Sequence, residues 1–353
     1  MSGRIKEITA EQAASEMRMG WNLGNTLDAV DGKLSIDDSP IKYETAWHNV
    51  ETTPEIMKTV VDAGFNVIRI PVSWGKHIDF ENGNKVRKAW MDRVKEVVDY
   101  AYNSGAYVIL NTHHDANWLN TFEKDFERGS AVFADLWNQI ADTFKEYDEH
   151  LIFEGMNELR YPGTPLEWVG DEPAFEIVNK YNELFVRTIR ERADENKDRI
   201  LVISTYCGAQ REPVLKNYAV PLNNGEKDEK LMVAVHCYDP EPFALSSQGT
   251  GVWTEADKGP VDAVFERIDT LLAPFGIPVI LDEFAALKKA DPDNDASRIR
   301  WVKYFLRRAK ASGVKCCWWD NGHAFPGHGM GLLDRREKTW FHPDLVKAIM
   351  EEA

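Results

Sequence analysis

Eight short apolar runs recur along the chain, and each is followed by a segment with apolar residues at helical spacing or long enough to hold a helix. The runs are Gly20–Asn25, Phe65–Pro71, Ala106–Asn111, Leu151–Met156, Ile200–Ser204, Leu231–His236, Pro278–Leu281 and Val314–Trp318. Their ends lie roughly 30–50 residues apart, the span of one strand, one helix and their loops. Strand and helix in alternation imply a parallel sheet, because each parallel neighbour needs a crossover. No Pro/Ser linker or charge block divides the chain. The expected fold is α/β, a single-domain (β/α)8 TIM barrel over residues 1–353. Thr9-Ala10-Glu11-Gln12 reads as a capping box, opening a short helix at about 9–18 before the first strand. The segment after the fifth run, Ala209–Asn217, is the poorest helix.

Composition narrows the partners. A formal charge of −16 without a basic stripe argues against nucleic acid. A hydrophobic fraction of 43% supports a sizeable core, and no apolar run is long enough to span a membrane. The N-terminal MSGRIKEITA holds no apolar h-region. Cys207, Cys237, Cys316 and Cys317 show no CxxC spacing and are expected as buried free thiols. Twelve tryptophans are many, and indole faces stack on sugar rings as readily as they fill a core.

Polar residues gather where the apolar runs end. These are Asn22 and Asn25, Arg69, His113-His114-Asp115, Asn157-Glu158, His236 and Tyr238, Glu283, and Trp318-Trp319-Asp320. In a parallel barrel such ends share one rim, so residues distant in sequence converge. Glu158 and Glu283 are the candidate catalytic pair. Two carboxyls amid neutral donors suit glycoside hydrolysis, where one must be protonated and the other ionised. Arg69 and Tyr238 would hold Glu283 ionised. Glu158 would sit in a less cationic pocket, its proton affinity raised by Glu283. A metal site is the rival chemistry, with His113, His114, His236, Asp115 and Asp282 as ligand types. The His-His spacing counts against it, since adjacent strand residues point to opposite sides. No metal and no cofactor are expected. Gly327–Gly331, GHGMG, follows no strand and reads as a surface loop.

Longer motifs carry a resemblance. GWNLGNTLDA at Gly20–Ala29, YETAW at Tyr43–Trp47, GFNVIRIPVSW at Gly64–Trp74, YVILNTHHD at Tyr107–Asp115, LIFEGMNE at Leu151–Glu158 and WWDNG at Trp318–Gly322 occur in order. The chain resembles glycoside hydrolase family 5, most closely its subfamily 4 endo-β-1,4-glucanases. The resemblance implies a retaining double displacement, with Glu158 as acid/base and Glu283 as nucleophile. It places Arg69, His113, Asn157, His236, Tyr238 and Trp319 around the reacting sugar, with Trp319 as stacking floor and Trp318 turned into the core. Asn22 would contact the next sugar. Trp47, Trp74, Trp118 and Trp253 are candidate platforms for more distant sugars.

Two positions depart from the family pattern: Asp282 stands where Gly usually precedes the nucleophile, and Leu159 where Pro usually follows the acid/base. By strand alternation Asp282 would point away from Glu283, into the layer between strands and helices. The implied substrates are β-1,4-glucans: cellulose, mixed-linkage glucan and xyloglucan. Mannan or xylan, or a catalytically impaired glycan-binding barrel, are the alternatives. A polymeric substrate implies an extracellular or periplasmic enzyme, and a monomer is expected.

Overall fold

Eight parallel strands, among the residues described, close into one barrel. They are β1 (Gly20–Leu23), β2 (Val67–Ile70), β3 (Tyr107–Asn111), β4 (Leu151–Glu154), β5 (Leu201–Ser204), β6 (Leu231–Cys237), β7 (Val279–Phe284) and β8 (Lys315–Asp320). Each pairs with its neighbours in sequence, and β1 closes the ring against β8. The computed structural model describes residues 5–115 and 126–353. The helix preceding β1 is α1 (Ala10–Glu16), and those that follow the eight strands in turn are α2 (Pro54–Asp62), α3 (Lys88–Asn103), α4 (Phe126–Thr143), α5 (Glu172–Arg190), α6 (Glu212–Lys216), α7 (Lys258–Arg267), α8 (Asn294–Ala311) and α9 (Pro343–Glu352), with short helical turns at Pro40–Glu44 and Glu241–Ala244 in the loops. None is long and apolar enough to cross a membrane among the described residues.

Alternation along the strands makes two cores. Val67, Tyr107, Ile109, Ile152, Ile200, Val202, Met232, Ala234, Ile280 and Cys317 fill the barrel interior. Their neighbours, such as Ile68, Leu110, Phe153, Ile203, Val235, Leu281 and Trp318, face the helices. Trp318 is fully buried there, its indole N–H donating to the carbonyl of Met330 at 2.8 Å. The four cysteines are free and buried.

The lower end of the barrel is plugged. Thr9 and Gln12 form the expected capping box, and Ala10, Ala13 and Ala14 of α1, with Met17, join the interior cluster. The helix stops at Glu16, short of the expected boundary, where Met17 turns extended. The weak fifth helix is the single turn of α6. After β6, α7 loosens into a π-turn over Ile268–Leu272.

At the upper end the interior positions turn polar. Asn22, Arg69, Asn111, Glu154 and Asp282 are all fully buried above the apolar layer. Strands β7 and β8 run further than their apolar runs, because backbone pairing continues past the charged residues. In β7 that continuation is irregular. Val235 of β6 pairs with Leu281, but His236 pairs with Glu283, and the register against β8 slips over the same stretch. One extra residue is therefore inserted, a β-bulge, which re-aims the side chains around it.

The interior tolerates little added volume. A Cβ at Gly20 would overlap the sulfur of Cys317 on the adjacent strand. Gly20→Ala should lower unfolding free energy by about 1–3 kcal/mol through overpacking. Urea unfolding checks this; an unchanged midpoint would show slack in the layer.

Candidate active site

Arg69 organises the upper layer. Its Nε and Nη2 clasp Glu154 at 2.7 Å each, and its Nη1 reaches Glu283 at 2.7 Å and Asn22 at 3.0 Å. Nη2 also donates to Asn157 at 2.8 Å. All five guanidinium N–H groups thus have a short acceptor. Burying such a charge is tolerable only with this saturation, and removing one partner of a buried pair costs about 3–5 kcal/mol. Arg69 has no exposed surface, so it does not touch a sugar as the sequence suggests. Asn22 is likewise not a sugar contact. Its amide oxygen is taken by Arg69 and its nitrogen donates to the Asp282 carbonyl at 2.8 Å.

Glu283 accepts from Arg69 and, through its other oxygen, from the Tyr238 hydroxyl at 3.0 Å. Glu158 lies opposite, beyond the break that ends β4 at Glu154. That break lets both Asn157 and Glu158 face inward. Nδ1 of His236 sits 2.8 Å from Glu158 Oε1 and 3.5 Å from Glu283 Oε2. An oxygen of each carboxyl and this nitrogen lie within 4.8 Å of one another. Arg160 adds a contact to Glu158 Oε2 at 3.2 Å.

The protonation pattern differs from the sequence expectation. The pocket around Glu158 is more cationic, not less. Burial alone would raise the Glu158 carboxyl, but His236 and Arg160 outweigh it and hold it low. Burial raises the Glu283 carboxyl, and the charges of Glu158 and Asp282 add to the push against His236 and Arg69. Burial opposes an imidazolium at His236, yet Glu283, Asp282 and Glu158 hold it protonated well above the ordinary value. The proton that sequence reasoning puts on Glu158 therefore rests on His236, hydrogen-bonded to Glu158. Such a cluster titrates as a unit. Gly208, at φ +65°, lies under this ring, where a Cβ would come 2.8 Å from it.

Asp282 points inward, contrary to the expectation counted back from Glu283: it shares the interior face with Ile280, and the bulge after Leu281 is what brings Glu283 to the lumen as well. Asp282 lies beneath Glu283, 3.3 Å from Arg69 Nε and 3.3 Å from His236 Nε2. His113 is held neutral, chiefly by burial. The Asn111 amide lies 3.2 Å from its Nδ1, leaving Nε2 to carry the proton toward the pocket. Trp319 stacks parallel to His113 at 5.5 Å and 3°, its half-buried ring forming part of the cleft wall.

The cleft, about 510 Å³, is lined by both glutamates, His113, Tyr238, Trp319 and Trp168. Trp47 is half-buried at the rim against His114, with its N–H on the Val30 carbonyl. Trp74 and Trp253 are core residues rather than platforms, at 0% and 1% exposure. Trp118 lies outside the described residues. Asp115 accepts the backbone N–H groups of Trp74 and Gly75, which shapes the β2 loop. Three residues escaped sequence reasoning. Glu154 is an acid inside an apolar strand, on the same face as Ile152; that alternation was the available signal. Arg160 and Trp168, a cation–π pair at 4.6 Å, sit in a loop where no period guides the reader.

A closed (β/α)8 barrel with two glutamates facing each other across its upper mouth defines a glycoside hydrolase. The chain belongs to glycosyl hydrolase family 5: the family's cellulase model matches residues 34–325. Endoglucanase B of Neocallimastix patriciarum is 38% identical over 99% of this chain and 73% of its own length. A GH5-4 broad specificity endoglucanase from Ruminococcus champanellensis, with bound cellotriose, superposes with a TM-score of 0.94 at 37% identity, covering 99% of this chain and all of that one. XEG5A, a xyloglucan-specific endo-beta-1,4-glucanase from a metagenomic library, in complex with cellotriose, gives 0.89 at 36%, covering 97% and 98%.

Tyr238→Phe removes one of two short donors to Glu283. A hydrogen bond to a charged group contributes about 1.5–3 kcal/mol, so kcat on soluble glucan should fall on the order of 10–100-fold. The acid limb of the pH profile should rise, because the lost donor favoured the ionised carboxyl. An unchanged limb would remove Tyr238 from this role.

Proposed function

We propose that the protein cleaves internal β-1,4 bonds of glucans by double displacement, with Glu283 as nucleophile and Glu158 as acid/base. The observation that carries this is the approach of the two carboxyls within 4.8 Å around His236. Retaining glycosidases hold their carboxyls about 5–5.5 Å apart, whereas inverting ones leave about 6.5–9.5 Å for a water. Glu283 is gripped by Arg69 and Tyr238, so its free lone pairs are aimed rather than mobile. Glu158 is the more exposed of the two, at 17% against 7%, as suits a group that meets a departing sugar and then a water.

In the first half-reaction Glu283 forms a bond to the anomeric carbon and the glycosidic C–O bond breaks. Glu158 passes a proton to the leaving oxygen, drawing on the proton it shares with His236. Charge leaves Glu283 as the ester forms, and Arg69 remains neutralised by Glu154. In the second half-reaction Glu158 takes a proton from water, which attacks the same carbon and frees Glu283. Trp319 supplies the apolar face beneath the sugar, and His113 and Asn157 offer hydrogen bonds to its hydroxyls. The described chain acts as one catalytic domain.

Cellulose, mixed-linkage glucan and xyloglucan are the substrates this reading favours, in keeping with the broad-specificity and xyloglucan-specific neighbours. Because a polymer does not cross a membrane, the reading also puts the enzyme outside the cytoplasm, and it works as a monomer without a membrane partner.

Aryl cellosides separate the two roles. Glu158→Ala should lose polysaccharide hydrolysis by about 10²–10⁴-fold, the usual contribution of a general acid. It should still release a dinitrophenol, which needs no protonation, and accumulate a glycosyl-enzyme visible by mass spectrometry. Glu283→Ala should lose both activities, and Glu283→Gln, which keeps an acceptor for Arg69, should lose them while melting within a few degrees of wild type; release of dinitrophenol by either variant would sink the assignment. Reducing-end assays on soluble glucans, glucomannan and xylan then rank the substrates, and activity confined to mannan or xylan would reject the glucan reading.

A further inference from the structure

His236 has a carboxylate at each end. Nδ1 faces Glu158 at 2.8 Å, and Nε2 faces Asp282 Oδ1 at 3.3 Å. A neutral imidazole can donate from only one nitrogen; with Nδ1 hydrogen-bonded to Glu158 and Nε2 in ion-pair contact with Asp282, the doubly protonated ring is the form that suits both carboxylates. Asp282 is fully buried, and among the described residues its only cationic neighbours at ion-pair distance are Arg69 and this histidine. Arg69 is already saturated by Glu154, Glu283, Asn22 and Asn157, which leaves His236 as the partner that Asp282 can govern.

We propose that Asp282 is a positioning residue for the reaction: from beneath the site it holds His236 as a cation whose Nδ1–H bridges Glu158 and Glu283. This rests on the catalytic reading above. The bulge in β7 is what makes it feasible, because it lets two consecutive acidic residues face the lumen, one toward the sugar and one beneath it. The groups facing Asp282 are Arg69 on β2, Glu154 on β4, His236 on β6, Glu283 on its own strand and Cys317 on β8; from β1 the neutral Asn22 binds its carbonyl. Glu158, Arg160 and the neutral His113 form the next ring outward. Glu154 is in contact with Asp282 as well as with Arg69; burial foremost, then the Asp282 charge, pushes the Glu154 carboxyl up to about 7 against the pull of Arg69. Burial would raise the Asp282 carboxyl, but the charges of Arg69 and His236 outweigh it and hold it low, so Asp282 keeps its charge beside the imidazolium.

The negative charge of Asp282 raises the proton affinity of Glu283 and of His236 alike. Ionisation of Glu283 sets the acid limb of kcat/KM, and loss of the proton shared by His236 and Glu158 sets the basic limb. Removing the charge lowers both, so the whole bell moves toward acid. Asp282→Asn keeps the shape and an acceptor for Nε2–H. Its two limbs should shift to lower pH by about one unit, the size expected for losing one charge a few ångströms away. Limbs that stay in place, with only kcat or stability reduced, would mean that Asp282 is packing and would overturn the proposal.

If Asp282→Asn does not fold, wild type answers by itself. With ¹⁵N-labelled histidine, the His236 ring, assigned by its loss in His236→Gln, should show both nitrogens protonated at neutral pH. A neutral ring overturns the proposal. The catalytic reading is checked separately: wild type inactive on every soluble glucan, or active Glu283→Ala, would reject that reading and this inference with it.

Discussion

One guanidinium sets the terms for the rest of the site. Arg69 carries a full charge into a place without water, and every N–H it owns must be met. The acceptors that meet it come from β1, β4, the turn after β4, and β7. Those segments are fixed relative to one another by a single side chain. The nucleophile candidate, Glu283, is one of those acceptors, so its position is part of the folding solution and not a later adjustment. Supporting groups that are themselves buried and saturated give the precision that acid–base and nucleophilic chemistry needs.

The surplus of acid over base in this layer explains its titration. Glu154, Glu158, Asp282 and Glu283 face Arg69, Arg160 and His236. Four carboxylates and two permanent cations cannot all be charged in a dry pocket, so protons are retained where crowding is worst. Histidine is the group that can accept one near neutrality. The acid/base function then belongs to the His236–Glu158 couple, and Glu158 is the member that reaches the substrate.

Much of this was legible in the sequence, for a physical reason. Period-2 alternation and helical spacing are written in residue type, so the eight strands and the ring of polar ends at Arg69, His113, Glu158, His236, Glu283 and Trp319 could be read directly. The shared inward aim of Asp282 and Glu283 could not, because alternation presumes an unbroken strand and a bulge leaves no mark in hydrophobicity. The charge around Glu158 was misplaced for another reason: Arg160 approaches from a loop and His236 from a different strand. Asn22 ends an apolar run just as a sugar-binding residue would, and only the direction of its amide shows that it serves Arg69. Trp74 and Trp253 look like platforms in one dimension; their burial depends on loops whose course no periodicity fixes.

The seal made by α1 has a bearing on the order of events. With Ala10, Ala13, Ala14 and Met17 packed into the lower mouth and apolar side chains filling the interior above them, the cylinder is closed from below, and among the described residues the cleft opens only at the upper end. Polymer, departing fragment and attacking water all use that opening. The fragment freed in the first half-reaction stands between the ester and bulk solvent until it departs. Traffic through one doorway thus makes vacancy a precondition for hydrolysis, and a fragment that lingers would be first in line to take the sugar back.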